Sequence, residues 1–252
     1  MGHPLNVFFD KVFVISIHRN HQRLEMFLKS NPDLEIEIFP GIDGKELFPS
    51  IEYVCNFPMN FFVDNQLLYD RCQIWNKGQL GCAISNLMVQ KEIIKRKLPK
   101  VLVLEDDAFL LINQMPHFIE ATKELPDNWD LFYLGFNPIS QWSEHPFKRM
   151  LLRIKYFVKP TSSNGMNSNK GQKRFLSSSF SENLNIPGIY TGTHAYALSY
   201  QGAKKIIAVD TPLQYGFDAT LMHVNYNKLI NSYSLKKSLF IPNQKFSTSL
   251  IN

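Results

Sequence analysis

Residues 101–107 read Val-Leu-Val-Leu-Glu-Asp-Asp, and the fold class turns on this stretch. Four aliphatic residues in a row, two of them β-branched, suit a short strand buried on both faces. Pro99 stands just before it and stops the preceding helix. That helix is the clearest in the chain. Over Gly78–Lys97, Leu80, Ile84, Leu87, Lys91 and Ile94 recur at spacings of three and four, with basic residues gathered at the C-terminal end. A helix feeding a fully buried strand is a unit of an α/β sheet. Val12–Ile17 (VFVISI) reads as another buried strand, followed by helix-compatible residues from His18 to Ser30. Leu34–Phe39 alternates apolar and acidic residues, as a strand with one wet face does. Leu131–Leu134 (LFYL) reads as a strand, order returns at Tyr190–Tyr200, and a short helix follows over Gly202–Val209. These elements predict one α/β domain with a mostly parallel sheet flanked by helices.

Composition agrees with a single domain. The chain has 252 residues, 44% of them hydrophobic, enough for a real core and against wholesale disorder. Its three cysteines, Cys55, Cys72 and Cys82, form no CxxC pair, which excludes a disulfide framework or a structural zinc site. No secretory signal or apolar run of about 18–20 residues is seen, so a cytoplasmic protein is expected. The formal charge of +5 has an address. Residues 147–174 hold eight basic and no acidic residues, so the rest of the chain carries five less eight, or −3. A mobile basic insertion is expected at 147–186. Its first part, 147–160, mixes basic and bulky apolar residues in a way that suits peripheral contact with an anionic membrane. No recognition helix or stacking motif accompanies the charge, so nucleic acid is not expected as a partner.

The chemistry concentrates at strand ends. Ligands of open α/β sheets bind outside the carboxyl ends of the strands, where Glu105, Asp106 and Asp107 stand. Three adjacent acids are costly unless something positive neutralises them. Oxygen ligands suit a hard cation, Mn²⁺ or Mg²⁺, which in turn binds phosphate. In an extended continuation Glu105 and Asp107 point one way and Asp106 the other, so 105 and 107 would be the metal pair. Arg19 and Arg23, four apart after the first strand, would share a helix face and fit phosphate. Gly78 and Gly81 at the start of the central helix allow close backbone approach, either to an anion or to a neighbouring strand. A late polar cluster holds Thr191, Thr193, His194, Tyr196 and Asp218, the last read as a loop residue.

The ordered set VFVISIHRNHQR (12–23), GIDGKEL (41–47), GQLGCAISNL (78–87), VLVLEDD (101–107), WDLFYLG (129–135), GTHAYALSYQGAKK (192–205) and FDATL (217–221) resembles glycosyltransferase family 25. That family includes bacterial lipooligosaccharide galactosyltransferases and procollagen galactosyltransferases. The resemblance implies a GT-A-like, Rossmann-type domain that moves a hexose (galactose, glucose or N-acetylhexosamine) from a UDP-sugar to a hydroxyl of a glycan or glycosylated acceptor, with inversion. It implies Mn²⁺ (or Mg²⁺) on Glu105 and Asp107, with Asp218 as general base or a further metal-site acid. It places Ile17, Arg19, Arg23, Asp43, Gly44, Gly78, Gly81, Ser85, Asn86, Asp106, Thr193 and His194 around the nucleotide sugar. One position departs: where the family commonly has Ser-His-Leu, this chain has Ser85-Asn86-Leu87. Asparagine cannot titrate near neutrality, which keeps open a second expectation, a non-catalytic nucleotide-sugar or glycan-binding protein on the same fold.

Overall fold

The computed structural model describes residues 2–47, 53–56, 74–138, 177–211, 213 and 216–243. The N-terminal part runs α1 (Pro4–Phe8), β1 (Lys11–Ser16), a 3₁₀ turn (His18–Asn20), α2 (His21–Ser30), β2 (Glu37–Pro40), α3 (Gly44–Leu47), β3 (Tyr53–Asn56) and β4 (Ile74–Asn76). The centre holds α4 (Lys77–Arg96), β5 (Lys100–Glu105), β6 (Ala108–Leu110), α5 (Met115–Glu124) and β7 (Leu131–Pro138). The rest is β8 (Ser178–Ser179), β9 (Leu184–Ile186), β10 (Tyr190–Ser199), α6 (Tyr200–Asp210), α7 (Phe217–Tyr226), β11 (Ser232–Leu235) and β12 (Phe240–Pro242).

Eight strands make the main sheet in the order β2-β1-β5-β10-β7-β11-β9-β8. Alternation along β5 explains why it is buried throughout. Val101 and Val103 face a core with Val89 and Ile93 of α4, Ala203 and Ile206 of α6, and Leu221 of α7. Leu102 and Leu104 face the opposite core with Leu5 of α1, Phe27 of α2 and Phe118 of α5. The expected α/β domain, one sheet with helices on both faces, is what the chain forms.

Strand direction differs from the expectation. Parallel pairs join β1 to β2, β1 to β5 and β7 to β11, but β10 enters antiparallel between β5 and β7, and β9 is antiparallel to both its neighbours. The sheet is therefore mixed. A strand buried on both faces carries the same apolar signature in either direction, so pattern alone does not reveal the reversal. The reversal matters for the site. With Ala195 beside Leu104, it is the beginning of β10, Tyr190–His194, that lies at the carboxyl ends of β1 and β5.

Of the expected insertion at 147–186, residues 147–176 lie outside the described residues. Its last residues, 177–186, carry β8 and β9 on the edge of the main sheet. Glu124 of α5 holds this edge, accepting hydrogen bonds from the Asn183 backbone N–H at 2.9 Å and from the Ser181 hydroxyl. Among the described residues no helix is long and apolar enough to cross a membrane.

Candidate active site

The carboxyl end of β5 gathers the acids as expected, but not by simple alternation. Residues 106 and 107 form a turn before β6, so Asp106 and Asp107 both reach Arg23. The Arg23 guanidinium lies 3.1 Å from Asp106 and 2.5 Å from Asp107. Asp106 also accepts a 2.7 Å hydrogen bond from Ser16 Oγ at the end of β1. The Oδ1 atom of Asp107 is buried without a hydrogen-bond partner among the described residues. Glu105 sits between these acids and Asp218. Burial first, then the charges of Asp107 and Asp218, push its carboxyl up to about 8, with Arg23 opposing only in part. Among the described residues the place is over-supplied with negative charge, and one arginine does not balance it.

Arg19 and Arg23 do not share a face. Arg19 belongs to the 3₁₀ turn and pairs with Asp43 at 2.9 Å, while Arg23 is buried in α2. Asp43 also accepts the Lys45 backbone N–H at 2.9 Å, which caps α3. Ile17 is half-buried and packs against the loop at Gly41. Both arginines therefore turn toward protein carboxylates: Arg19 ties the loop after β1 to the loop after β2, and Arg23 ties α2 to the turn after β5.

The glycines of α4 split in role. Gly78 lies in its first, partly exposed turn. Gly81 and Gly44 are where the 42–44 loop meets that helix. A Cβ on Gly44 would lie 1.7 Å from the Lys77 carbonyl oxygen, and one on Gly81 would lie 2.5 Å from that of Ile42. Close packing is what these two positions require. Ser85 completes the contact, accepting from the Ile42 N–H at 2.8 Å and donating to the Gly81 carbonyl at 2.7 Å.

Asn86 is buried and occupied. Its Oδ1 accepts from the Tyr196 hydroxyl at 2.5 Å, and its amide donates to the Cys82 carbonyl at 2.9 Å. Cys82 stands one turn before Asn86 on α4, with part of its surface exposed and its thiol turned toward Glu105 and Asp218. The crowded walls, with Glu105 and Asp218 nearby, push its thiol well up, so it is a neutral lining group and not a nucleophile.

The far wall is β10 and α7. Asp218 is not a loop residue: it stands in the first turn of α7, a helix whose N-terminus favours a carboxylate. One oxygen accepts the Gly192 N–H at 2.9 Å and the other accepts Thr193 Oγ1 at 2.7 Å. His194 is buried, with its ring over Gly135 and Nε2 3.3 Å from the Phe240 carbonyl oxygen. Burial lowers its pKa, so it is a neutral spacer. Ser16 was not among the expected site residues. Its signal was present: a lone hydroxyl closing an apolar strand at the end where ligands bind.

The acids, the two arginine-ordered loops, the N-terminal turns of α4 and the start of β10 thus converge on one cleft. Comparison with known proteins gives this cleft a family. The model of glycosyltransferase family 25 (LPS biosynthesis protein) matches residues 9–221. A human relative, "Inactive glycosyltransferase 25 family member 3", is 28% identical over 81% of this chain and 30% of its own length. The "Procollagen lysyl hydroxylase and glycosyltransferase" of Acanthamoeba polyphaga mimivirus is 25% identical over 94% of this chain and 27% of its own. Human procollagen galactosyltransferase 2 is 30% identical over 53% of this chain and 22% of its own. The chain thus spans less than a third of the length of these curated relatives. With the family model covering the cleft from β1 to Asp218, the chain belongs to glycosyltransferase family 25.

Proposed function

We propose that this chain is a glycosyltransferase unit that moves a hexose from a UDP-sugar to a hydroxyl of a glycan or glycosylated acceptor, with inversion and with Mn²⁺ or Mg²⁺. The observation that carries this reading is the surplus negative charge at the end of β5. The buried Asp107 Oδ1 lacks a partner among the described residues, and Glu105 is pushed up to about 8 by burial and its acidic neighbours.

These residues fit a hard divalent cation. Among the described residues no three His, Cys, Asp or Glu side chains form a closed metal cage. A cation shared with a substrate needs no such cage, since Mg²⁺-type sites use one or two carboxylates and take the rest from phosphates and water. Glu105 and Asp107 would hold it, and when bound it would supply neutralising charge to a leaving diphosphate. In an inverting transfer the acceptor oxygen bonds to the anomeric carbon as the bond to the diphosphate oxygen breaks, and the hydroxyl proton passes to a base. Asp218 suits that role. Its two hydrogen bonds fix its direction, and each oxygen keeps a second lone pair for the incoming proton. The membrane contact through 147–160 and a role in lipopolysaccharide assembly are extensions of the same proposal.

A second reading, donor binding without transfer, is motivated by Asn86, whose hydrogen-bonding groups are taken up by Tyr196 and Cys82, and by the human relative named inactive. Release of UDP from a panel of UDP-sugars with Mn²⁺, with and without acceptors, separates the two. Transfer predicts turnover that falls about 100-fold or more in Asp107→Ala. Donor binding with no turnover across a broad acceptor panel establishes the second reading instead.

A further inference from the structure

Behind the cleft, α6 packs on α4, α7 and β10 and closes over polar groups that the transfer chemistry does not use. Asp210, the last residue of α6, is fully buried. Its Oδ1 accepts a 2.8 Å hydrogen bond from Thr220 Oγ1 of α7, itself fully buried. Its Oδ2 is buried with no hydrogen-bond partner among the described residues. A carboxylate here would face the negative end of its own helix and stand in an apolar core, and both disfavour the charge. Burial accordingly pushes Asp210 up to about 7.

Among the described residues no charge offsets this: the lysines and arginine of α4 and α6 have no resolved effect on Asp210, which feels only its burial and the Thr220 hydroxyl. Tyr196 of β10 is raised far above its ordinary range, with Asp210 among the causes. Cys82 of α4 is raised, and His223 of α7 is lowered by burial. Asp218 begins α7 and is itself acidic. Gln90 of α4 is fully buried and carries no charge.

We propose that Asp210 is a positioning residue: it ties the end of α6 to Thr220, and so holds the first turn of α7, with Asp218, against Gly192 and Thr193 of β10. Its consequence for turnover rests on the reading of Asp218 given above; its hold on α7 does not. Ionisation keeps the Thr220 hydrogen bond but places a charge in the apolar core with no cation beside it among the described residues, and that cost favours parting of the two helix ends.

The sign follows from linkage. A folded-state value raised above that of the opened chain gives a contribution that is full in acid and is lost as pH rises through the folded value. Hydrogen exchange of full-length wild type, Asp210→Asn and Thr220→Val, corrected for intrinsic rates, reads this directly on a peptide spanning 216–226. Asparagine keeps the acceptor oxygen and cannot ionise. Between pH 6 and pH 8 wild-type protection is expected to fall about tenfold more than that of Asp210→Asn, any fall common to both belonging to Glu105. Thr220→Val should show reduced protection at both values. Equal pH dependence in wild type and Asp210→Asn overturns the proposal. In UDP release, wild-type kcat should fall further on the alkaline side than that of Asp210→Asn, with similar donor KM. Matching kcat profiles despite divergent exchange overturns the link to Asp218. Absence of turnover in both, with divergent exchange, supports the tie and sinks the transfer reading instead.

Discussion

The two walls of the cleft are wired differently. On the β1 and β5 side, charge holds charge: Arg23 meets Asp106 and Asp107, and Arg19 meets Asp43. On the β10 and α7 side, neutral donors hold the acid: the Gly192 N–H and the Thr193 hydroxyl point Asp218 into place. The first wall is strongly bound but unfinished, because one arginine faces three consecutive acids with Asp218 opposite. The second sets direction and adds no compensating charge. The protein thus keeps a local excess of negative charge on one side and supplies orientation from the other. That division is what a site for a cation-bound diphosphate and a directed acceptor would need.

The contrast can be broken at its strongest point. Arg23→Ala leaves two buried carboxylates without their cation and should cost about 3–5 kcal/mol in urea unfolding. Arg23→Lys should recover only part, because a single ammonium replaces a fork that reaches both acids. A loss below about 1 kcal/mol would show that the charged wall is not held by this pair.

The next effect concerns the excess charge itself. Burial and its acidic neighbours push the Glu105 carboxyl up from the ordinary 4.5 to about 8, so its contribution to stability is full in acid and lost as pH rises through that value. Melting temperature should therefore fall between pH 5 and 8.5. Glu105→Gln should flatten part of the slope, with Asp210 and Asp106 acting in the same direction and the histidines lowered by burial opposing them. Mn²⁺ should raise wild-type stability more at pH 8 than at pH 6, since binding displaces the proton. An unchanged slope in Glu105→Gln would place the excess charge elsewhere.

The smallest effect tests the neutral wall. Thr193→Val removes one donor to Asp218 while the Gly192 N–H remains, and should cost about 1.5 kcal/mol in unfolding. If it instead rivals Arg23→Ala, the two walls do not differ in kind.

How much of this could be read in the chain follows from burial. Val12–Ile17 and Val101–Leu104 announced themselves because a strand covered on both faces is a continuous apolar run. Their carboxyl ends located the acids. α7 was not legible as a helix: Phe217, Ala219, Leu221, Met222 and Val224 are all buried, and a helix enclosed so fully has little polar stripe to mark its period. β11 is four residues with two serines, and β9 is three residues, too short to carry a pattern. The arginines were legible as important but not in their partners. Arg19 and Arg23 are four apart in sequence, yet the 3₁₀ turn between β1 and α2 sends one to Asp43 and the other to the β5 acids. Pairings that span 24 residues for Arg19 and 83 for Arg23 are made by the fold and have no local trace.

The reversed strand β10 has a consequence for how the molecule comes together. β5 and β7 are not neighbours; β10 fills the gap between them, pairing Leu104 with Ala195 and Leu131 with Leu198. A chain synthesised only through β7 would hold two open sheet edges with no strand to join them. Contacts this distant in sequence form slowly, because the loop entropy is lost before the pairing is gained. Insertion of β10 therefore both seals the sheet and brings Thr193 to the acids. Intermediates that lack the strand would be the aggregation-prone ones, and none of them would possess a finished cleft.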